Sequence, residues 1–130
     1  MKATILIVDD SETVRTMVRQ TLSSDGYEIL EAADGEAGAE LAGERPLDLM
    51  IVDYNMPGMN GVEMIRRVRE LPQHRQTPIF VLTTENDLDK SKEGRQSGAT
   101  AWMVKPFRSD HLLSGVRMVL AARGGRRRDA

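Results

Sequence analysis

Cysteine is missing from all 130 residues, which removes disulfides, thiolate metal sites and thiol nucleophiles from any account of this chain. Aromatic residues are scarce. One Trp, two Tyr and two Phe stand against eight Met, so the core has to be packed from Leu, Ile, Val, Met and Ala. Long apolar runs are lacking as well: Ile5 to Val8 and Met50 to Val52 fall far below the roughly 20 residues that span a bilayer, so membrane insertion is not expected. Neither sign of charge dominates. The formal net charge of −2 supplies no global attraction to nucleic acid, and no nucleic-acid partner is expected. The start, Met1-Lys2-Ala3-Thr4, enters a strand-like run without the segments of a secretory signal, which makes the cytoplasm the expected location.

What is present reads as one globular domain, with 40% hydrophobic and 29% charged residues. Residues 1–123 form the expected domain, and 124–130, with Arg126, Arg127 and Arg128 after Gly124-Gly125, a basic disordered tail. Thr4 to Val8 is short, β-branched and apolar, and predicts a buried strand that stops at two aspartates. Ser11 then suits a helix N-cap with Glu12 in the first turn. Val14, Met17, Val18 and Leu22 recur at helical spacing as one apolar face, and Gly26 is the stop.

The alternation continues along the chain. A strand over Glu28 to Ala32 precedes a helix from about Gly35 to Gly43 capped by Asp34, and a strand from Asp48 to Val52 runs into Asp53. The turn-rich loop Asn55 to Gly61 leads to a helix with Val62, Ile65 and Val68 on its apolar face, ended by Pro72. The fourth strand, Ile79 to Leu82, ends at Thr83-Thr84 and is followed by a polar helix from about Asp87 to Ser97. The fifth, Thr100 to Val104, meets Lys105-Pro106, and a last helix opens at Ser109 and ends near Gly124. Five strand–helix pairs with strands apolar on both faces predict a doubly wound α/β fold with a parallel sheet. In such sheets ligands bind outside the carboxyl ends of the strands.

Those ends carry Asp9-Asp10, Asp53, Thr83 and Lys105. A lone aspartate after a strand ordinarily caps a helix, and a lone lysine is ordinarily solvated; four strands delivering phosphate-compatible residues to one rim is a different matter. Three converging carboxylates repel one another unless a cation joins them, and hard oxygen donors in that number suit Mg²⁺. Lys105 adds fixed positive charge, Thr83 a hydroxyl donor, and one carboxylate a nucleophile for a phosphoryl group.

The motifs Ile7-Val8-Asp9-Asp10-Ser11, Val52-Asp53-Tyr54-Asn55-Met56-Pro57-Gly58-Met59-Asn60-Gly61, Leu82-Thr83-Thr84-Glu85, Gly98-Ala99 and Lys105-Pro106-Phe107 resemble, in this order, the receiver domains of bacterial two-component response regulators. The resemblance is to CheY-like chemotaxis regulators in particular, and it covers about Ala3 to Leu120. It implies a flavodoxin-like strand order 2-1-3-4-5 and phosphorylation of Asp53 by a CheA-like sensor histidine kinase, a histidine phosphotransfer domain or small phosphodonors. It also implies Mg²⁺ held by Asp10, Asp53 and the carbonyl of Asn55 with Asp9 acting through water, Lys105 and Thr83 on the phosphoryl oxygens, and a cis peptide before Pro106. Thr83 and Trp102 occupy the family's switch positions, with Trp where Tyr or Phe is commoner. Asn55 and Glu85 resemble the pair that tunes rapid self-dephosphorylation, and the bulk of Thr84 would slow it.

The expected output surface comprises the polar helix after Glu85, Trp102 and the last helix, because a segment with one sizeable apolar residue and a central Gly is weakly anchored. His74 and His111 are expected on the surface. With no further domain in the sequence, the expectation is a monomeric stand-alone regulator acting on a protein target such as a flagellar motor switch component, or alternatively a phosphorelay intermediate or phosphate sink. A turnover enzyme is not expected: Asp53 is followed by Tyr54-Asn55 rather than completing an Asp-x-Asp, and no Gly-x-x-x-x-Gly-Lys loop occurs.

Overall fold

The computed structural model describes residues 2–84 and 98–129, with side chains described as far as Arg123. Glu85 and the polar helix expected over 87–97 lie outside the described residues. Five parallel strands, β1 (Thr4–Val8), β2 (Glu28–Ala32), β3 (Leu49–Asp53), β4 (Ile79–Thr83) and β5 (Ala101–Val104), form one sheet in the order β2-β1-β3-β4-β5. The helices are α1 (Glu12–Leu22), α2 (Gly35–Glu44), α3 (Gly61–Arg69) and the C-terminal α4 (Ser109–Asp129). This is the doubly wound arrangement that the alternating pattern predicted, in the flavodoxin-like strand order that the receiver-domain resemblance implied.

The two-residue period of the strands divides the core. Leu6, Val8, Met50, Val52, Ile79 and Val81 face α2 and α3 with Met64, Ile65 and Val68, while Ile5, Ile7, Leu49, Ile51, Phe80 and Leu82 pack with Val18 and Leu22 of α1 and Leu112 and Val116 of α4. Every residue of β3 and β4 is buried, which is the burial a central parallel strand requires.

The helices start where short polar side chains satisfy the exposed amides. Ser11 Oγ accepts from the Val14 N–H at 3.2 Å and Asp34 Oδ1 from the Ala37 N–H at 2.8 Å. Asn60 and Glu63 form a capping box at α3. Met17, assigned above to the apolar face of α1, is 48% exposed, because Val18 and Leu22 already fill the contact with the sheet. The C-terminal helix runs to Asp129, past the stop suggested at Gly124. Arg is a good helix former, and Gly inside a helix costs only about 1 kcal/mol relative to Ala, so a glycine pair weakens a helix without forbidding it.

His74 departs from expectation more sharply. It is 1% exposed, with Nδ1 2.8 Å from Thr77 Oγ1 and Nε2 2.7 Å from the Ala42 carbonyl, tying the segment before β4 to α2. Burial holds its imidazole below the usual value, opposed by its bonds to the backbone. His111 is exposed, as expected.

Candidate functional site at the carboxyl ends of the strands

Strand order decides what meets at the rim. β1 and β3 are neighbours with Val8 opposite Val52, so Asp9 and Asp53 leave the sheet side by side. β5 lies beyond β4 with Thr83 opposite Val104, and the Lys105 N–H donates to the Thr83 carbonyl at 2.7 Å. From there Lys105 reaches back across the end of β4. Its Nζ donates to Asp9 Oδ2 at 2.8 Å and to Asp53 Oδ1 at 3.0 Å, bridging both carboxylates. The Lys105–Pro106 peptide is cis.

Asp9 is fully buried and Asp53 is 4% exposed, whereas Asp10 turns to solvent. One carboxylate oxygen from each of Asp9, Asp10 and Asp53 can lie within 4.8 Å of the others. Three carboxylates against one ammonium leave the cluster short of positive charge. The consequence appears in Asp53. Burial pushes its carboxyl up to about 6; the hydrogen bond from Lys105 opposes this, the charge of Asp9 adds to it, and the Asn55 amide and the Lys105 charge work against it. For Lys105, burial acts to lower the ammonium, but its bonds to Asp9 and Asp53 and their charges outweigh burial and hold it above the usual lysine value.

The donor set fits a hard divalent cation. All three candidate ligands are carboxylates, Asp10 faces outward where water can complete a shell, and a cation there would supply the missing charge. Asn55, also exposed, lies two residues beyond Asp53 on the loop that leaves β3.

Thr83 is buried at the end of β4. Trp102, opposite Val81 in the middle of β5, is half-buried against the face covered by α2 and α3, with its ring centroid 5.5 Å from that of Tyr54 and the planes at 43°. Its indole Nε1 is buried with no hydrogen-bond partner among the described residues. The rim therefore holds Asp9, Asp10, Asp53 and Lys105 together, Thr83 ends the strand between them, and Trp102 lies one strand face away, joined to the site through Tyr54.

Three contributors escaped the sequence reading. The Ser11 amide donates to Asp9 Oδ1 at 2.9 Å, and the Arg15 guanidinium to the Asp9 carbonyl at 2.6 Å. Gly61 matters by being small. A Cβ there would lie 2.6 Å from the Asp53 carbonyl oxygen and 3.0 Å from Tyr54 Cα, both backbone atoms. Gly61→Ala is therefore expected to displace the Asp53–Tyr54 backbone and cost about 1–3 kcal/mol in urea unfolding. A loss below about 0.5 kcal/mol would show that this backbone yields freely.

A family model described as the response regulator receiver domain matches residues 5–117. The chain is similar to the transcriptional regulatory protein SrrA of Staphylococcus aureus, 35% identical over 120 residues, which are 92% of this chain and 48% of that protein. It thus spans about half the length of that curated relative. Among solved structures it is similar to the chemotaxis protein CheY4 of Vibrio cholerae, with a TM-score of 0.87 and 44% identity over 92% of this chain and 99% of that one. It is also similar to a CheY-like response regulator receiver domain protein from Methanospirillum hungatei, with a TM-score of 0.90 and 25% identity over 97% of this chain and 99% of that one. The matched stretch takes in every strand end that builds the rim, and the chain belongs to the response regulator receiver-domain family.

Proposed function

We propose that this chain is a Mg²⁺-dependent phosphorylation switch that accepts a phosphoryl group on Asp53 from a histidine kinase of the CheA kind or a histidine phosphotransfer domain. The observation that carries the reading is the position of Lys105, donating to both buried carboxylates at the rim. Asp53 is the acceptor because it ends the central strand β3, is buried, and takes the Lys105 ammonium on one oxygen while the Asn55 amide also bonds its carboxylate.

In the transfer, a carboxylate oxygen of Asp53 forms a bond to phosphorus while the bond to the donor's nitrogen, or to the acyl oxygen of a small phosphodonor, breaks and its electron pair leaves with the donor. Mg²⁺, held by Asp10, Asp53 and the Asn55 carbonyl with Asp9 through water, would supply charge neutralisation for the equatorial oxygens. Lys105 and the Thr83 hydroxyl would donate to the phosphoryl oxygens. Positioning does the rest, since phosphoryl transfer demands little covalent chemistry from the protein. Asn55 and Glu85 set the lifetime of the acyl phosphate.

The output is a change in protein binding. A phosphoryl group draws Thr83 inward, and the Tyr54–Trp102 pair carries that movement to the face of β5. Similarity to CheY4 supports a chemotaxis or flagellar-motor target for a monomeric, cytoplasmic regulator; similarity to a transcriptional regulator supports the receiver role and not that output. A relay or sink role uses the same site and differs only in back-transfer to a histidine.

The test is the intact mass after incubation with acetyl phosphate, with and without Mg²⁺, beside Asp53→Asn. A Mg²⁺-dependent gain of one phosphoryl group, absent in the variant, is expected. No gain with acetyl phosphate or with a panel of kinases would mean that the rim is idle.

A further inference from the structure

Asp9 is held at every polar group it has. Its N–H donates to the Ala32 carbonyl at 3.1 Å, Oδ1 accepts from the Ser11 N–H at 2.9 Å, and Oδ2 accepts from Lys105 Nζ at 2.8 Å. The fourth group, its carbonyl oxygen, accepts from Arg15 Nη1 at 2.6 Å. Arg15 lies one turn into α1, with its own N–H on the Ser11 carbonyl at 3.1 Å, and its side chain bends back over the β1–α1 junction. The guanidinium is itself anchored: Nε donates to Glu31 Oε1 on β2 at 3.2 Å, and Arg19, a turn further on, donates to Glu31 Oε2. The Arg15 side chain is only 15% exposed, unlike that of Arg19 at 44%.

We infer that Arg15 is a positioning residue for the divalent-cation site, fixing through the Asp9 carbonyl the peptide from which Asp10 projects. The inference rests on the Mg²⁺ reading given above. Among the described residues no hydrogen bond or ion pair orients Asp10, so the direction of its carboxylate depends on the plane of the Asp9–Asp10 peptide. That plane is set by the carbonyl Arg15 holds. A guanidinium suits the task because its rigid planar fork directs Nε to Glu31 and Nη1 to the Asp9 carbonyl at once, so that anchoring one bond orients the other.

Charge alone predicts the opposite of positioning. Arg15 is a cation near a site for a cation, so if only its charge counted, removing it would tighten Mg²⁺ binding. If it positions Asp10, removing it weakens binding. Partners behind metal ligands typically contribute about 10–100-fold in affinity, and Arg15→Ala is expected to raise the Mg²⁺ dissociation constant by that factor in isothermal titration calorimetry. Arg15→Met, which keeps the aliphatic stem and its packing, is expected to do the same and serves where the alanine variant does not fold. Arg45→Ala, whose side chain pairs with Glu28 at the far end of β2, should leave the constant unchanged.

Unfolding without Mg²⁺ is recorded in parallel, because a purely structural role lowers the thermal midpoint while the folded variant keeps the wild-type constant. An unchanged or tighter constant in Arg15→Met overturns the inference. Wild-type protein that shows no Mg²⁺ heat at all would overturn the cation reading, and the inference with it; wild-type binding with variants unaffected overturns the inference alone.

Discussion

Lys105→Ala is expected to slow phosphoryl uptake from acetyl phosphate by about 10²–10³-fold, the usual consequence of removing a donor aimed at developing charge. The same change should make Mg²⁺ bind more tightly. Both follow from one geometry: Nζ sits 2.8 Å from Asp9 and 3.0 Å from Asp53, so it satisfies the carboxylates that a metal ion would also claim. Taking the ammonium away removes a competing positive charge from the metal and a stabilising one from the transferring group. In the metal-free protein it also strands two buried carboxylates, and breaking a buried pair in this way costs about 3–5 kcal/mol. Much of that loss is recoverable, because the carboxylates can take up protons or Mg²⁺. The expected pattern is therefore a variant that is unstable without Mg²⁺ near neutral pH, regains stability as Mg²⁺ is added, and still transfers slowly. A rate within threefold of wild type would remove Lys105 from the phosphoryl site, and weaker Mg²⁺ binding would mean that it orders the carboxylates rather than competing for them.

Much of this site could be read from the chain because parallel sheets turn sequence into position. Asp9-Asp10, Asp53, Thr83 and Lys105 each follow an apolar run, and a sheet in which all strands point the same way must collect their ends at one rim. Burial on both faces made Ile5 to Val8 and Ile79 to Leu82 legible as strands without any partner being known. What stayed hidden depended on contacts between residues distant in sequence. His74 sits in a polar stretch, Pro72-Gln73-His74-Arg75-Gln76-Thr77, that reads as surface; the Ala42 carbonyl that makes its burial tolerable lies thirty-two positions away. Arg15 reads as an ordinary exposed residue of an amphipathic helix, and only the placement of Glu31 on β2 shows that it bends inward. Gly61 is written in the sequence merely as the end of a turn-rich loop, while its real constraint is the 2.6 Å that a Cβ would leave to the Asp53 carbonyl. The division between Asp9 and Asp10, one sealed by Lys105 and Ser11 and the other open to solvent, likewise comes from packing and not from their identical chemistry.

Asp53→Asn is expected to stabilise the metal-free protein at pH 7.5 by about 1–2 kcal/mol while abolishing phosphoryl uptake, and the direction follows from the acidity of the group. Its ordinary value is 3.8, and burial chiefly raises it to about 6 in the folded chain. Below pH 3.8 the carboxyl is protonated whether the chain is folded or not, and it exacts no penalty. Between about 4 and 6 the unfolded chain has given up the proton while the folded chain still keeps it, so folding takes up a proton and stability falls as pH rises. Above 6 the folded carboxyl is ionised too and the penalty stays constant, at most about 3 kcal/mol for a difference of this size at about 1.4 kcal/mol per tenfold. Asparagine carries no charge and escapes the penalty, although it gives up the ionic part of the bond to Lys105, which is why the expected gain is less than the maximum. His74 works in the other direction: held below its ordinary 6.5, it supports the fold above that pH and withdraws support as pH falls through it. Chemical unfolding of wild type and variant from pH 4 to 8 in chelator separates the two groups, because the difference between the proteins isolates Asp53 while both retain His74. The variant's advantage should grow from near zero at pH 4 to its full value above pH 6, and shrink when Mg²⁺ is added, since only wild type has the charge that the metal neutralises. An advantage that is flat across this range would mean that Asp53 is ionised in the folded chain at every pH tested and that the rim is not short of positive charge.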